Sequence, residues 1–224
     1  MALTKREISR GYDAMLERMG LSPRFYQAAI SMAGELSGRV LDLGCGVGGL
    51  LEQIRNRFPG ISLAGGDISF VLSRETKKKQ ITANVFQGDV EWLPLRDAVV
   101  DCVFMTEVLE HLLDYKKGLS EVYRVLRPGG RLVVTVPNRD WVRYDRFMSE
   151  HVPYQPVDDH WFTRGELEQL LVSAGFHVVK VNGWGSLSGR RGVFRLAEKL
   201  KTMWEPSLSL QRKRLMMLAE KRIH

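Results

Sequence analysis

Apolar residues recur along this chain in short runs that alternate with segments of helical spacing. Six runs predict buried strands, at residues 40–43, 61–66, 81–86, 99–105, 132–136 and 176–181. Apolar positions three and four residues apart predict helices at 3–36, 50–58, 70–79, 115–126 and 166–173. Pro23 interrupts the first of these helices, and glycine or proline closes several other elements.

Strands that alternate with helices favour right-handed crossovers and a parallel sheet. We therefore predict an α/β fold, a doubly wound, mostly parallel Rossmann-like sheet with helices on both faces. N-terminal helices precede the sheet, and a basic helical C-terminal tail follows it. Residues 1–224 are interpreted as one domain, with a helical lid at 1–38, the core at 39–182 and the basic segment at 183–224. Ligands of such sheets bind beyond the carboxyl ends of the strands.

The composition is typical of a soluble globular protein, with 44% hydrophobic and 26% charged residues among 224. No apolar run approaches the length of a membrane-spanning helix, and the first residues lack the apolar stretch of a secretory signal. Cys45 and Cys102 are too few for a disulfide framework. These observations predict a cytoplasmic protein with no transmembrane segment.

The positive charge of the chain is concentrated near its C-terminus. The net charge is +7, and residues 190–224 alone contain ten basic and three acidic residues. Apolar residues at helical spacing (Val193, Ala197, Leu200 and Trp204) predict a helix docked on its own domain. Contact of 190–224 with anionic lipid or RNA is the alternative, and residues 193–196 could instead form a short edge strand.

A glycine-rich loop follows the first predicted strand and is the strongest sign of a ligand site. Gly44 permits a tight turn, and Gly46 lets a ligand approach the backbone closely. Asp42, two residues earlier, is unusual beside a dinucleotide pyrophosphate and suits a cationic cofactor better. A dinucleotide fingerprint that uses Gly49 is the alternative, as is a tight turn that binds nothing.

Residues 40–48 resemble the first motif of class I S-adenosylmethionine-dependent methyltransferases, and the later motifs follow in the expected order. They are the acidic residue Asp67, the segment 88–95, the segment 101–112, residues 125–130 and residues 163–179. The similarity covers roughly 40–181 and is greatest to the ubiquinone-pathway-like (methyltransferase type 11) group. It implies S-adenosyl-L-methionine as cofactor and S-adenosyl-L-homocysteine as product.

The same resemblance assigns cofactor-binding residues. Asp67 corresponds to the carboxylate that holds the ribose hydroxyls, and Asp89 to the one that accepts from the adenine amino group. Both carboxylates have the acceptor capacity that these roles need. The full predicted set is Asp42, Gly44, Cys45, Gly46, Asp67, Ile68, Asp89, Val90 and Thr106.

The acceptor side is less defined by the sequence. Glu107, Glu110 and His111 would share one face of a helical turn, where they could hold a divalent metal. In some members of the family that the chain resembles, a similar trio does so together with a later histidine, and His160 is the comparable residue here. We favour a turn packed beneath the cofactor and predict no metal ligand. His111 remains the candidate general base for a hydroxyl acceptor, since its ordinary pKa is near 6.5.

The long segment 137–162 combines aromatic and basic residues, and it predicts either an acceptor pocket or a structural lid. Its members are Trp141, Tyr144, Phe147, Tyr154, Trp161 and Phe162 with Arg139, Arg143 and Arg146. The favoured function is methyl transfer to a small-molecule acceptor, with oxygen as a candidate methylated atom. The alternatives are an RNA or lipid-linked acceptor recruited by the tail, a non-catalytic S-adenosylmethionine-binding protein, and a nicotinamide dehydrogenase.

Overall fold

A computed structural model describes residues 3–15, 21–81, 83–141, 156–157, 160–185 and 212–223. Its strands are β1 (Arg39–Leu43), β2 (Ser62–Asp67), β3 (Asn84–Gln87), β4 (Val100–Thr106), β5 (Leu126–Pro137), β6 (Phe176–Trp184) and β7 (Arg214–Lys221). Its helices are α1 (Lys5–Asp13), α2 (Pro23–Ala33), α3 (Gly49–Arg57), α4 (Phe70–Lys78), α5 (Tyr115–Val125) and α6 (Arg164–Ser173), with a 3₁₀ turn at Leu109–His111. The six predicted strands are all present, with ends shifted by a few residues.

The seven strands form one sheet in the order β3-β2-β1-β4-β5-β7-β6. β1 pairs in parallel with β2 on one side and with β4 on the other, so the strand order reverses between them. β7 is antiparallel to both of its neighbours. The predicted doubly wound, mostly parallel fold is confirmed, and its switch point lies at the carboxyl ends of β1 and β4.

Helices cover both faces of the sheet, as the alternation of strands and helices predicts. Successive strand residues point to opposite faces, so Val103 and Phe104 enter different core clusters. The Val103 face packs against α5 and α6, and the Phe104 face packs against α2 and α3. Within the described residues, no helix is both long and apolar enough to cross a membrane.

The helix starts follow local side-chain chemistry. Thr163 and Glu166 form the capping box that their spacing predicts at the start of α6. The Ser69 side chain accepts from the backbone N–H of Leu72 and so caps α4, a role typical of a serine directly before a helix. Pro23 begins α2, where the missing N–H of proline costs no hydrogen bond.

The prediction of a helical basic tail is wrong for residues 214–221, which form β7 between β5 and β6. Leu215, Met216, Met217, Leu218 and Ala219 are all buried. Leucine and methionine favour helices in isolation, but here burial on both faces of a sheet decides the conformation. The predicted helix at Val193 to Trp204 and the alternative strand at 193–196 lie outside the described residues.

Candidate functional site

A cavity of about 280 Å³ opens at the carboxyl ends of the parallel strands, where the fold predicts a ligand. Every residue of the predicted cofactor-binding set lines it, and so does the candidate base. These are Asp42, Gly44, Cys45, Gly46, Asp67, Ile68, Asp89, Val90, Thr106 and His111. The structure therefore brings together residues from the carboxyl ends of β1, β2 and β4 and from the segments that follow β1 to β4.

The glycine loop turns sharply where β1 ends. The backbone N–H groups of Gly44 and Cys45 both donate to the carbonyl of Gly66, at 2.7 and 3.1 Å. Gly44 has a φ of +69°, and a Cβ there would lie 2.2 Å from Cγ2 of Val108. Only glycine combines this backbone conformation with so close an approach.

Asp67 connects the glycine loop to the start of α4. Its Oδ2 accepts from the backbone N–H of Gly46 and its Oδ1 from that of Ser69, each at 2.8 Å. Burial raises the pKa of this carboxyl, while the two hydrogen bonds favour its charged form and oppose the shift. Asp67 thus holds its carboxylate in a fixed position on the cavity wall.

Asp42 is a buried carboxyl with an unsatisfied oxygen. Its side chain is 1% exposed, and no donor among the described residues reaches Oδ1. Burial, and then the nearby Asp67, raise the pKa of Asp42 well above its ordinary value. A buried acceptor without a partner is costly, so the site suits a ligand that brings a hydrogen-bond donor or a positive charge.

Helix α1 lies over the Asp67 and Asp89 side of the cavity. Lys5 forms ion pairs with Asp89, at 3.2 Å, and with Glu91. The Ser9 hydroxyl donates to the carbonyl of Ile68 at 2.8 Å. Tyr12, also from α1, lines the cavity together with Tyr26 from α2. These contacts place polar groups of the N-terminal helices around the predicted cofactor residues.

Glu107 departs from the predicted helical trio. It has a left-handed φ of +55° and precedes the 3₁₀ turn, so Glu107, Glu110 and His111 do not share a helical face. Its carboxylate accepts from Thr135 Oγ1 at 2.9 Å and from Arg214 Nε at 2.5 Å. In the part of the chain that the structure describes, no group of three or more His, Cys, Asp or Glu residues could hold a metal ion.

His111 lies in the wall of the cavity and is largely buried. Its Nε2 is 3.8 Å from a carboxylate oxygen of Glu110, and its ring meets the ring of Tyr12 edge to face. Burial lowers the pKa of His111 to about 4. His160 stacks on Tyr115 and donates its backbone N–H to the carbonyl of Glu110. His160 therefore packs beside the turn, and it does not line the cavity.

Replacing His111 with glutamine should reduce the pH dependence of stability. The folded pKa of about 4 lies below the unfolded value near 6.5, so the unfolded chain binds more protons between these values. The free energy of unfolding of the native protein should therefore fall with decreasing pH in this window, by up to about 1.4 kcal/mol per pH unit from this residue. Urea denaturation across the window measures the slope.

The matched control is His177→Gln, since His177 is exposed on β6. This variant should retain the slope of the native protein. A His111→Gln variant whose stability depends on pH as steeply as that of the native protein would show that His111 is not held neutral by the fold.

The structure adds Lys213 and Arg214 to the cavity wall, two residues that the sequence motifs do not assign to the site. In the sequence, these two residues directly precede the apolar run 215–219. They reach the site only if that run forms an antiparallel strand. Trp161, from the predicted aromatic segment, also lines the cavity. Other members of that segment lie outside the described residues, namely Tyr144, Phe147, Tyr154, Arg143 and Arg146.

Comparison with known proteins identifies methyltransferases as relatives of this chain. Residues 15–181 match a family model described as a methyltransferase domain. The chain is 34% identical over 151 residues to a protein of Mycolicibacterium smegmatis named a probable S-adenosylmethionine-dependent methyltransferase, covering 66% of this chain and 55% of that protein. It is 33% identical over 135 residues to the demethylmenaquinone methyltransferase of Thermus thermophilus, covering 57% of this chain and 61% of that enzyme. The matches thus span little more than half the length of these relatives.

A solved structure from Thermotoga maritima has a similar fold. It is described as an S-adenosylmethionine-dependent methyltransferase, possible histamine N-methyltransferase. It superposes with a TM-score of 0.71 at 21% identity, covering 96% of this chain and 100% of that one. The acceptors named for these proteins differ, so similarity of fold does not define the acceptor.

Proposed function

This chain belongs to the class I S-adenosylmethionine-dependent methyltransferase family, and from that premise we propose that it transfers a methyl group to a small-molecule acceptor. The observation that carries the proposal is the set of acidic side chains around the glycine loop. Asp42, Asp67 and Asp89 all line one cavity, and a buried oxygen of Asp42 accepts no hydrogen bond from the residues that the structure describes. Such a wall suits a cofactor that carries positive charge and several hydrogen-bond donors.

Each acidic residue offers a different contact to the cofactor. Asp67 would accept from the ribose hydroxyls, and Asp89 from the adenine amino group, with the apolar side chains of Ile68 and Val90 beside the base. Asp42 would accept from the amino-acid end, close to Gly44 and Gly46. The remaining predicted residues, Cys45 and Thr106, line the same wall.

S-adenosylmethionine supplies an activated methyl group on a sulfonium, so the protein mainly has to orient the acceptor. Orientation alone can lower a barrier by about 7–11 kcal/mol. If the methyl group goes to a hydroxyl oxygen, that hydroxyl would donate a hydrogen bond to His111, which is neutral at physiological pH. The low pKa also makes this imidazole a weak base, so we assign His111 to positioning as much as to proton removal.

Recruitment of RNA or lipid by the tail has less support. Of its basic side chains, Arg212 donates to the carbonyl of Gly185, and Lys221 donates to the carbonyls of Tyr123 and Leu126 at 2.8 Å. Arg214 is engaged with Glu107. These cations serve contacts within the fold, and the comparisons likewise do not favour this acceptor class or a non-catalytic binder.

The test combines cofactor binding with label transfer. Calorimetric titration should show binding of S-adenosylhomocysteine and none of NAD. Incubation with methyl-labelled S-adenosylmethionine and cell extract should then place label in the small-molecule fraction, and excess unlabelled S-adenosylhomocysteine should abolish it. Label only in RNA, lipid or protein would contradict the proposed acceptor class. Cofactor binding with no label in any fraction would favour a non-catalytic binder.

A further inference from the structure

We propose that the acceptor carries an anionic group, a carboxylate or a phosphate, which Lys213 and Arg214 bind at the far side of the cavity. This inference rests on the proposed function, because it names the substrate class of the same site. Arg214 is the first residue of β7, and Lys213 directly precedes it. Both line the cavity together with the predicted cofactor residues.

The strand order separates this cationic pair from the acidic cofactor residues. Asp67 ends β2, while Arg214 begins β7, four positions along the sheet. Neighbouring strands lie about 4.8 Å apart, so the two residues stand on opposite sides of the cavity, roughly 19 Å across the sheet. A group held by Lys213 and Arg214 would therefore lie away from Asp67, in the part of the cavity that the cofactor assignment leaves for the acceptor.

Strand β5 and Asn138, the residue that follows it, hold the start of β7 in place. Because β7 is antiparallel, its first residues reach the edge at which β5 ends, and Arg214 pairs with Pro137. Asn138 donates its backbone N–H to the carbonyl of Lys213 at 3.0 Å, and its side-chain amide to that of Arg212 at 2.7 Å. A buried asparagine thus fixes the backbone at Lys213, directly before β7.

The cations lie against aromatic surfaces. The Lys213 ammonium is 5.6 Å from the ring centre of Trp141, and the Arg214 guanidinium is 5.7 Å from that of Phe25. Burial, with the adjacent Arg214, lowers the pKa of Lys213, while Glu107 opposes that shift. An ion pair formed in such partly apolar surroundings is stronger than one in water.

The contact with Glu107 uses only part of the donor capacity of the Arg214 guanidinium. Glu107 is shared between Arg214 and Thr135, and Glu110 lies beside His111 on the 3₁₀ turn. Arg214 uses Nε for Glu107, and a guanidinium has five N–H donors, so the same side chain can bind a second anion. Trp161 completes an apolar wall for the body of the acceptor.

The experiment uses the protein saturated with S-adenosylhomocysteine and titrates it with matched probes. These are 4-hydroxybenzoate, 4-hydroxyphenyl phosphate and the neutral 4-hydroxybenzamide. We expect at least one anion to bind about tenfold more tightly than the amide, since charge-assisted hydrogen bonds are worth that factor or more. The order of the two anions distinguishes a carboxylate from a phosphate acceptor.

The Lys213→Met variant should lose this preference for the anions. The matched control is Lys180→Met, which removes the same charge from an exposed position on β6 and should retain the preference. S-adenosylhomocysteine affinity, measured first, should stay within about twofold in both variants. A native protein that does not bind S-adenosylhomocysteine contradicts the proposed function itself.

Intact cofactor binding with no preference for the anions overturns the acceptor inference alone. A preference that survives in Lys213→Met overturns it as well. It is also overturned if Lys213→Met weakens S-adenosylhomocysteine binding about tenfold and leaves anion binding unchanged, because the lysine would then serve the cofactor.

Discussion

Deleting residues 212–224 should abolish cooperative folding. The deletion removes β7 from between β5 and β6, so β6 loses its ladder partner and β5 keeps only β4. It also removes four large buried side chains, Leu215 to Leu218. At about 1.5–3 kcal/mol each, their burial is worth about 6–12 kcal/mol, comparable with the whole stability of about 5–15 kcal/mol of a typical domain. Circular dichroism and thermal denaturation measure the loss.

The control is a chain that ends at Lys221, which keeps β7 and loses only residues that are exposed or outside the described range. It should melt close to the full-length protein. A chain lacking 212–224 that still unfolds cooperatively at an unchanged temperature would show that β7 is dispensable. Since truncation of this strand is expected to destroy the fold, tests of the basic tail require charge-neutralising substitutions.

The second large effect is expected from Asp67→Asn, which should weaken S-adenosylhomocysteine binding about 10- to 100-fold. The amide keeps one acceptor oxygen, whereas the carboxylate uses both oxygens, for the N–H groups of Gly46 and Ser69. Loss of a charged acceptor costs about 1.5–3 kcal/mol, which corresponds to this range of affinity. Calorimetric titration of the folded variant provides the measurement.

Stability should change less than affinity in this variant. Burial raises the pKa of Asp67, so removing its charge relieves a desolvation cost, which opposes the loss of a hydrogen-bond acceptor. Asp97→Asn is the matched control, since Asp97 is 76% exposed and pairs with Arg124 at the surface. It should change affinity by about twofold or less. Equal affinities for Asp67→Asn and the native protein would remove Asp67 from the cofactor site.

Local patterns predicted most of the fold. The glycine loop, the cap at Ser69 and the capping box at Thr163 depend on residues within a few positions of each other, so their spacing is sufficient evidence. Spacing gave a wrong prediction at Glu107. Positions i, i+3 and i+4 share a face only in a continuous helix, and the left-handed backbone at Glu107 interrupts it.

The sequence alone therefore determined the alternation of strands and helices, because that alternation depends on local periodicity. It also located the acidic residues of the site, because ligands bind where parallel strands end. Only the tertiary structure decided the role of the C-terminal segment. Arg214 contacts Glu107 across 107 residues of sequence, and no local pattern encodes such a contact. The apolar run 215–219 became a strand because the space between β5 and β6 buries it on both faces, and that placement brought the two cations into the cavity.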